Sequence, residues 1–234
     1  MILVYIPARG GSKGIPLKNL FPLNGKPLIE YTFEIVQQLK FEFGDLVFPL
    51  LSTDDDRILE FADKHGFLTE YKRPDELADD KSTIVDGLLH AINWLNETKS
   101  IAPDAILLLQ PTSPMRDFAE LKNMVNLFLV NNNESMFSVI PMKQHPFECI
   151  VKNGNEWNYL AEPTYGQQRQ NYKDNYYFID GSYYLVKRKF LEDNKAFIIS
   201  ECSVPFVLQN KFIIDIDEYL DLKLAEVLMR KDNE

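Results

Sequence analysis

A chain of 234 residues, 45% hydrophobic and 26% charged, has the size and balance of one large globular domain, or of one domain with an insertion. A formal net charge of −10 and the lack of any apolar run long enough to span a bilayer argue against nucleic acid and membranes as partners. Two cysteines, Cys149 and Cys202, with no CxxC pair and no signal-peptide pattern at "MILVY", point to a reducing cytoplasm.

In chain order, "MILVYI" is a short continuous apolar run, the pattern of a buried parallel strand. The loop "IPARGGSKGIPLKN" follows it. Residues 1–29 contain no Asp or Glu, yet Arg9, Lys13, Lys18 and Lys26 are present, so the sign of charge is locally inverted. Gly10, Gly11 and Gly14 permit close approach of backbone N–H groups to a ligand. Such N–H groups flanked by cations make an anion nest, here for a small polyphosphate. The P-loop pattern fails because Lys13 precedes Gly14, and the dinucleotide pattern fails on glycine spacing. "GGSKG" does match the GxSxG nucleophile elbow, so a serine hydrolase using Ser12 is an alternative reading. It would need an acid and then a histidine, and only His65, His90 and His145 exist.

A helix is expected over 27–40, then a strand at "DLVFPLLST" weakened by Pro49, then a helix at "DDRILEFADKHG" capped by the acids of "STDDD". Ser82 reads as the N-cap of the helix "TIVDGLLHAINWLNE". Arg73 and Ser82, in "KRPDELADDKS", are candidate ligand contacts or ordinary surface and cap residues. "DAILLLQ" is a buried strand that ends in the loop "QPTSPMR", where Gln110 would face the same crevice, and "DFAELKNMVNLFLV" is the next helix. From 143 onwards the rhythm becomes polar and aromatic, an inserted β-rich lobe over about 143–185. "YYFIDGSYYLV" and "SVPFVL" are further strands. "KFIIDID" reads as a last buried strand and "EYLDLKLAEVLMRK" as a closing helix. Asp215 and Asp217, two apart at the end of that strand, share a face and suit Mg²⁺, or else they cap the helix. The alternation of strands and helices predicts an α/β fold, a Rossmann-like, mostly parallel sheet with helices on both faces, in one domain over 1–234.

Taken in order, "IPARGGSKGIPLKN", "STDDD", "RPDELADDKS", "LLQPTSPMR", "QRQNY", "DGSYY" and "DIDEYLDLKLAE" resemble the acylneuraminate cytidylyltransferases, the CMP-sialic acid synthetase family, over nearly the whole chain. The resemblance implies a nucleotidyltransferase. It would join CTP to the anomeric hydroxyl of an acidic nine-carbon keto sugar, with release of pyrophosphate and with Mg²⁺ as cofactor. It implies that Arg9, Gly10, Gly11, Ser12, Lys13, Lys18 and Asn19 hold the triphosphate, with Arg73 and Ser82 on the nucleotide. It implies Gln110, Arg169 and Tyr184 as sugar contacts and Asp215 and Asp217 as metal ligands. Lys18, Arg9 and Asp215 would then be catalytic, Asp215 as a candidate base. The same likeness implies a homodimer that exchanges the lobe carrying Arg169. Asp180 stands where that family usually has Asn, with no arginine beside it, and Glu148 stands near the place of a lysine. These departures favour a bacterial legionaminic or pseudaminic acid over N-acetylneuraminic acid. A nucleotidyltransferase with another base or sugar, a serine hydrolase and a non-catalytic nucleotide-binding module are the alternatives.

Overall fold

The structure, a computed structural model, describes residues 1–162, 175–209 and 213–231. Its strands in chain order are β1 (Ile2–Pro7), β2 (Pro22–Leu23), β3 (Lys26–Pro27), β4 (Val47–Ser52), β5 (Ala105–Leu108), β6 (Ser135–Pro141), β7 (Ile150–Asn153), β8 (Glu156–Tyr159), β9 (Tyr177–Lys187) and β10 (Ser203–Val207). The helices are α1 (Leu28–Phe43), α2 (Asp56–Asp63), α3 (Ile84–Lys99), α4 (Phe118–Val130), α5 (Arg188–Asn194) and α6 (Tyr219–Lys231).

Six strands form one sheet in the order β10-β6-β9-β5-β1-β4. All pairings are parallel except those of β9, which runs antiparallel between β5 and β6. β1 shows why helices cover both faces. Ile2, Val4 and Ile6 enter one core with α1, α2 and α4, while Leu3 and Tyr5 enter the other with α3 and α5. Pro49 is accommodated because β4 is an edge strand, where a missing N–H is tolerated. The polar middle segment forms its own hairpin from β7 and β8, while β9 enters the main sheet.

Two expectations are corrected. Over its described residues, 213–217, "KFIIDID" is not a strand. These residues are tied to the β5 exit loop by Ile216 N–H donating to Thr112 O at 2.8 Å. Its apolar residues are satisfied by packing: Ile214 and Ile216 join Ile15, Leu23, Leu28, Leu222 and Ala225 in a third small core. Ser82 is not the cap of α3. Thr83 is, because its side chain accepts from Asp86 N–H while Asp86 accepts from Thr83 N–H, a reciprocal capping box. The short α5, only seven residues, carries no periodic signal long enough to read in advance.

Candidate active site

The third core positions the site. It fastens the glycine-rich loop through Ile15 to the segment carrying Asp215 and Asp217, although about 200 residues separate them in sequence. Along that segment Ile214 and Ile216 turn inward and Asp215 and Asp217 turn outward. The same-face spacing read from the sequence therefore holds without a strand. Gly14 is where the two pieces meet. A Cβ built there would lie 2.2 Å from the backbone oxygen of Asp217. Gly14→Ala is expected to destabilise the protein by roughly 1–3 kcal/mol, because the obstacle is backbone. A thermal melt checks this, and an unchanged Tm would mean the loop does not dock as described.

A cavity of about 450 Å³ opens beyond the carboxyl ends of β1, β4 and β5, the edge where open α/β sheets bind ligands. Arg9, Gly11, Ser12, Lys18 and Asn19 line it from the first loop. Arg73, Ser82, Gln110, Asp215 and Asp217 line it from other segments of the chain. Leu17, just before Lys18, holds a left-handed backbone at φ 50° and ψ 41° without being glycine. Strain of this kind concentrates at functional sites. Lys18 Nζ donates to Ile216 O at 2.7 Å and to Asp217 Oδ1 at 2.8 Å, and its side chain is only 12% exposed. Asn19 Nδ2 donates to Arg9 O at 2.9 Å and so fixes the loop from within.

The other expected residues flank this cavity or fall elsewhere. Gly10 lies behind the loop, its N–H donating to Asp54 Oδ1 at 2.9 Å. One N–H of the expected nest is thus already occupied by a protein carboxylate. Lys13 reaches Asp80 Oδ2 at 2.8 Å, and Arg9 reaches the other oxygen of the same carboxylate at 2.9 Å. Hydrogen bonds from Lys13, then from Arg9, hold the Asp80 carboxyl below its ordinary range. Arg73 is buried, donating from Nε to Ser52 Oγ at 2.9 Å and from Nη2 to Ser52 O at 2.7 Å. Ser82 Oγ sits 2.6 Å from Glu76 O and 2.8 Å from Asp79 Oδ1. Tyr184 OH and Gln110 Nε2 lie 4.0 and 3.9 Å from the point a Gly181 Cβ would occupy, so they face the same small space. Burial pushes the Tyr184 phenol up, helped by the charges of Asp180 and Asp215. Arg169 lies outside the described residues.

Asp80 and Thr112 were not singled out in the sequence. Asp80 was visible only as one acid in "LADDKS". Thr112 bonds Asp215 from the proline-stiffened loop, a partnership that sequence spacing does not reveal. Loss of solvent around Asp215 raises its carboxyl above its ordinary value; Thr112 opposes that rise, and the charge of Asp217 adds to it.

Ser12 has no histidine beside it. His65 Nδ1 faces Phe61 O, His90 Nδ1 faces Tyr71 OH, and His145 Nδ1 accepts from Phe147 N–H. None of the three lines the cavity that Ser12 lines, so the geometry of a serine hydrolase is missing there.

The description "Cytidylyltransferase" belongs to a family profile that matches residues 3–231. The chain belongs to the cytidylyltransferase family. Among its relatives is the CMP-N,N'-diacetyllegionaminic acid synthase of Legionella pneumophila, 34% identical over 238 residues, covering 100% of this chain and 98% of the relative. A pseudaminic acid cytidylyltransferase of Campylobacter jejuni is 31% identical over 233 residues, covering 99% of this chain and 97% of the relative. The fold matches a solved CMP:2-keto-3-deoxy-manno-octonic acid synthetase complexed with CTP, at TM-score 0.71 and 17% identity over 99% of each chain. The cytidylyltransferase therefore has the α/β sheet architecture expected from its sequence, and the family expected from its motifs. No described helix is long and apolar enough to cross a membrane.

Proposed function

We propose that this cytidylyltransferase joins CTP to the anomeric hydroxyl of an acidic nine-carbon keto sugar, a nonulosonic acid of the legionaminic or pseudaminic class, releasing pyrophosphate. The observation that carries this reading is the convergence, around one cavity, of a cationic loop and two carboxylates on an otherwise acidic chain. Phosphoryl-type displacement calls for positioning and charge neutralisation more than for covalent catalysis. The legionaminic and pseudaminic names of full-length relatives support the sugar class.

In this reading Lys18 and Arg9 are catalytic, bearing on the charge of the triphosphate and the departing pyrophosphate. Gly10, Gly11, Ser12, Lys13 and Asn19 shape and charge the cradle, and Arg73 and Ser82 contact the nucleoside part. Arg9 and Lys13 exchange Asp80 for phosphate oxygens when CTP enters, a favourable swap because their ion pairs with Asp80 are exposed and weak. Gln110, Tyr184 and Arg169 contact the sugar, and Asp215 is the candidate base for its hydroxyl.

Asp215 and Asp217 offer two hard carboxylates beside the cavity, the donor set Mg²⁺ takes together with phosphate oxygens and water. The Asp215 carboxyl is raised first by loss of solvent and further by the charge of Asp217, a repulsion that a cation between them would relieve. When bound, Mg²⁺ supplies Lewis-acid polarisation of the α-phosphate. The chain's own contribution is to orient the two carboxylates through Thr112 and Lys18 and to hold the triphosphate against the loop.

The same reading includes a homodimer through the middle lobe. Ile150, Trp157, Leu160, Phe178 and Ile179 are exposed there, and a second copy would cover them. Sedimentation should give twice the mass of a 27.2 kDa chain, and Phe178→Asp should shift it toward the monomer. A monomeric wild type would remove this part. Reaction in the cytoplasm agrees with two free thiols, Cys149 and Cys202. Pyrophosphate release from CTP, measured with and without sugar acid and Mg²⁺, tests the activity itself; release that ignores the sugar acid would defeat it.

A further inference from the structure

The acceptor side of the site is built on a break in the sheet. β6 and β9 pair in register from Ser135 opposite Val186 to Phe137 opposite Tyr184, and again from Val139 opposite Ile179. Between these stretches Ser138 alone on β6 stands against four residues on β9, from Asp180 to Tyr183. This bulge lies where β5 ends, since Leu108 pairs with Tyr184 and Gln110 follows two residues later. Bulges at such places re-aim side chains. Gly181 supplies the turn at φ +81°. Ser138 Oγ caps it, accepting from Tyr183 N–H at 3.0 Å.

One side chain joins this bulge to the β5 exit loop. Arg116 donates from Nε to Ser182 O at 3.0 Å, from Nη2 to Gln110 O at 2.5 Å, and from Nη1 to Thr32 Oγ1 on α1 at 3.1 Å. Its fork thus grips the backbone of two elements that carry Gln110 and Tyr184, and braces both against α1. Loss of solvent pushes the guanidinium down to about 10, still a cation at neutral pH, with Tyr183, Asp180 and Asp215 in electrostatic range. Asp180 completes the arrangement. It is 5% exposed, its Oδ2 accepts from Ser182 N–H at 3.1 Å, and its Oδ1 has no hydrogen-bond partner among the described residues. A buried carboxylate left half-satisfied is costly unless a cation lies near.

We propose that Arg116 is the positioning residue of the acceptor half of the site: its guanidinium fixes Gln110 and the Asp180–Tyr183 bulge in the one relative arrangement that fits the sugar acid. The proposal rests on the function proposed above. A lysine cannot reproduce it, because an ammonium lacks the planar fork needed to serve carbonyls on two elements at once. The hydrogen bonds of Arg116 go to Ser182, Gln110 and Thr32, and none goes to Arg9, Lys18, Arg73 or Ser82, the residues proposed to hold CTP.

Steady-state kinetics of Arg116→Lys, with CTP affinity measured separately by calorimetry, test this. Loss of charged hydrogen bonds that hold the acceptor contacts should raise the KM for the sugar acid roughly 10- to 100-fold. CTP affinity and the CTP-induced rise in Tm should be unchanged. Free guanidinium added to Arg116→Ala should restore part of the sugar turnover. If Arg116→Lys does not fold, the pair Arg116→Met with Asp180→Asn removes the cation and the buried anion together and is put through the same measurements. A folded variant with wild-type sugar KM overturns the proposal, as does an equal loss of sugar and CTP affinity. Failure of both variants to bind CTP overturns it in favour of a purely structural Arg116. A wild type inactive with every sugar acid would instead defeat the function reading.

Discussion

Lys18→Ala is expected to lower kcat for CMP-sugar formation by roughly 100- to 1,000-fold, the usual loss when one preorganised charged donor at a transition state is removed. Lys18 is unlike the other cations of the opening loop. Arg9 and Lys13 pair with an exposed acid at the rim, whereas the Lys18 ammonium is nearly enclosed and held by Ile216 O and Asp217 Oδ1. It is therefore placed before substrate arrives, and its charge acts in a site with less water to screen it. The same two bonds tie the loop to the 215–217 segment, so some loss of Tm is expected as well. The third core still holds the two pieces together through Ile15, Ile214 and Ile216, so the variant should remain folded. Stopped-time assays of pyrophosphate release, beside a melting curve, separate the two effects. Near-wild-type kcat in a folded variant would take Lys18 out of the chemistry.

The second large effect is expected at Asp215. Asp215→Asn removes a carboxylate that hydrogen-bonds Thr112 and lies within range of Asp217 and Lys18. Turnover should fall roughly a thousandfold, since Lewis-acid polarisation of the phosphate is worth several kcal/mol. Stability should not fall with it. The Asp215 carboxyl already bears a desolvation cost, and a neutral amide of the same shape relieves that cost while retaining an acceptor for Thr112. The expected signature is thus an inactive protein with a Tm equal to or above wild type, and with weakened Mg²⁺ binding in the presence of CTP. A variant that keeps its Mg²⁺ response would mean that the cation sits elsewhere.

Most sheet strands were legible because their physics is local, although β6 was not read as one. "MILVYI" and "DAILLLQ" are continuous apolar runs, and each pairs on both sides in a buried sheet. The cationic loop was legible for a similar reason: its glycines, its cations and its lack of acids all fall within one stretch. What the sequence concealed depends on contacts between distant segments. The pairing of Asp80 with Arg9 and Lys13 joins positions about 70 residues apart, and no periodicity records it. "KFIIDID" reads as a strand by hydropathy, yet its isoleucines complete a loop core instead of a ladder. The alternation survives in the burial pattern, with Ile214 and Ile216 buried and Asp215 and Asp217 exposed. Ser82 looked like a cap because it precedes a helix, but Thr83 has the acid three residues on that closes a capping box. Arg116 carried no signal beyond a basic residue after two prolines, and its three acceptors come from three different elements.

The central claim is that the cavity between the glycine-rich loop and Asp215 couples CTP to a nonulosonic acid. The most direct measurement is pyrophosphate release from CTP across a panel of keto sugar acids, each with and without Mg²⁺, with the products identified by mass. The account predicts release only when CTP, Mg²⁺ and a legionaminic- or pseudaminic-type acid are all present, with the CMP-sugar formed in equal amount. Release of pyrophosphate without any sugar acid, or none with the whole panel despite CTP binding, would contradict it.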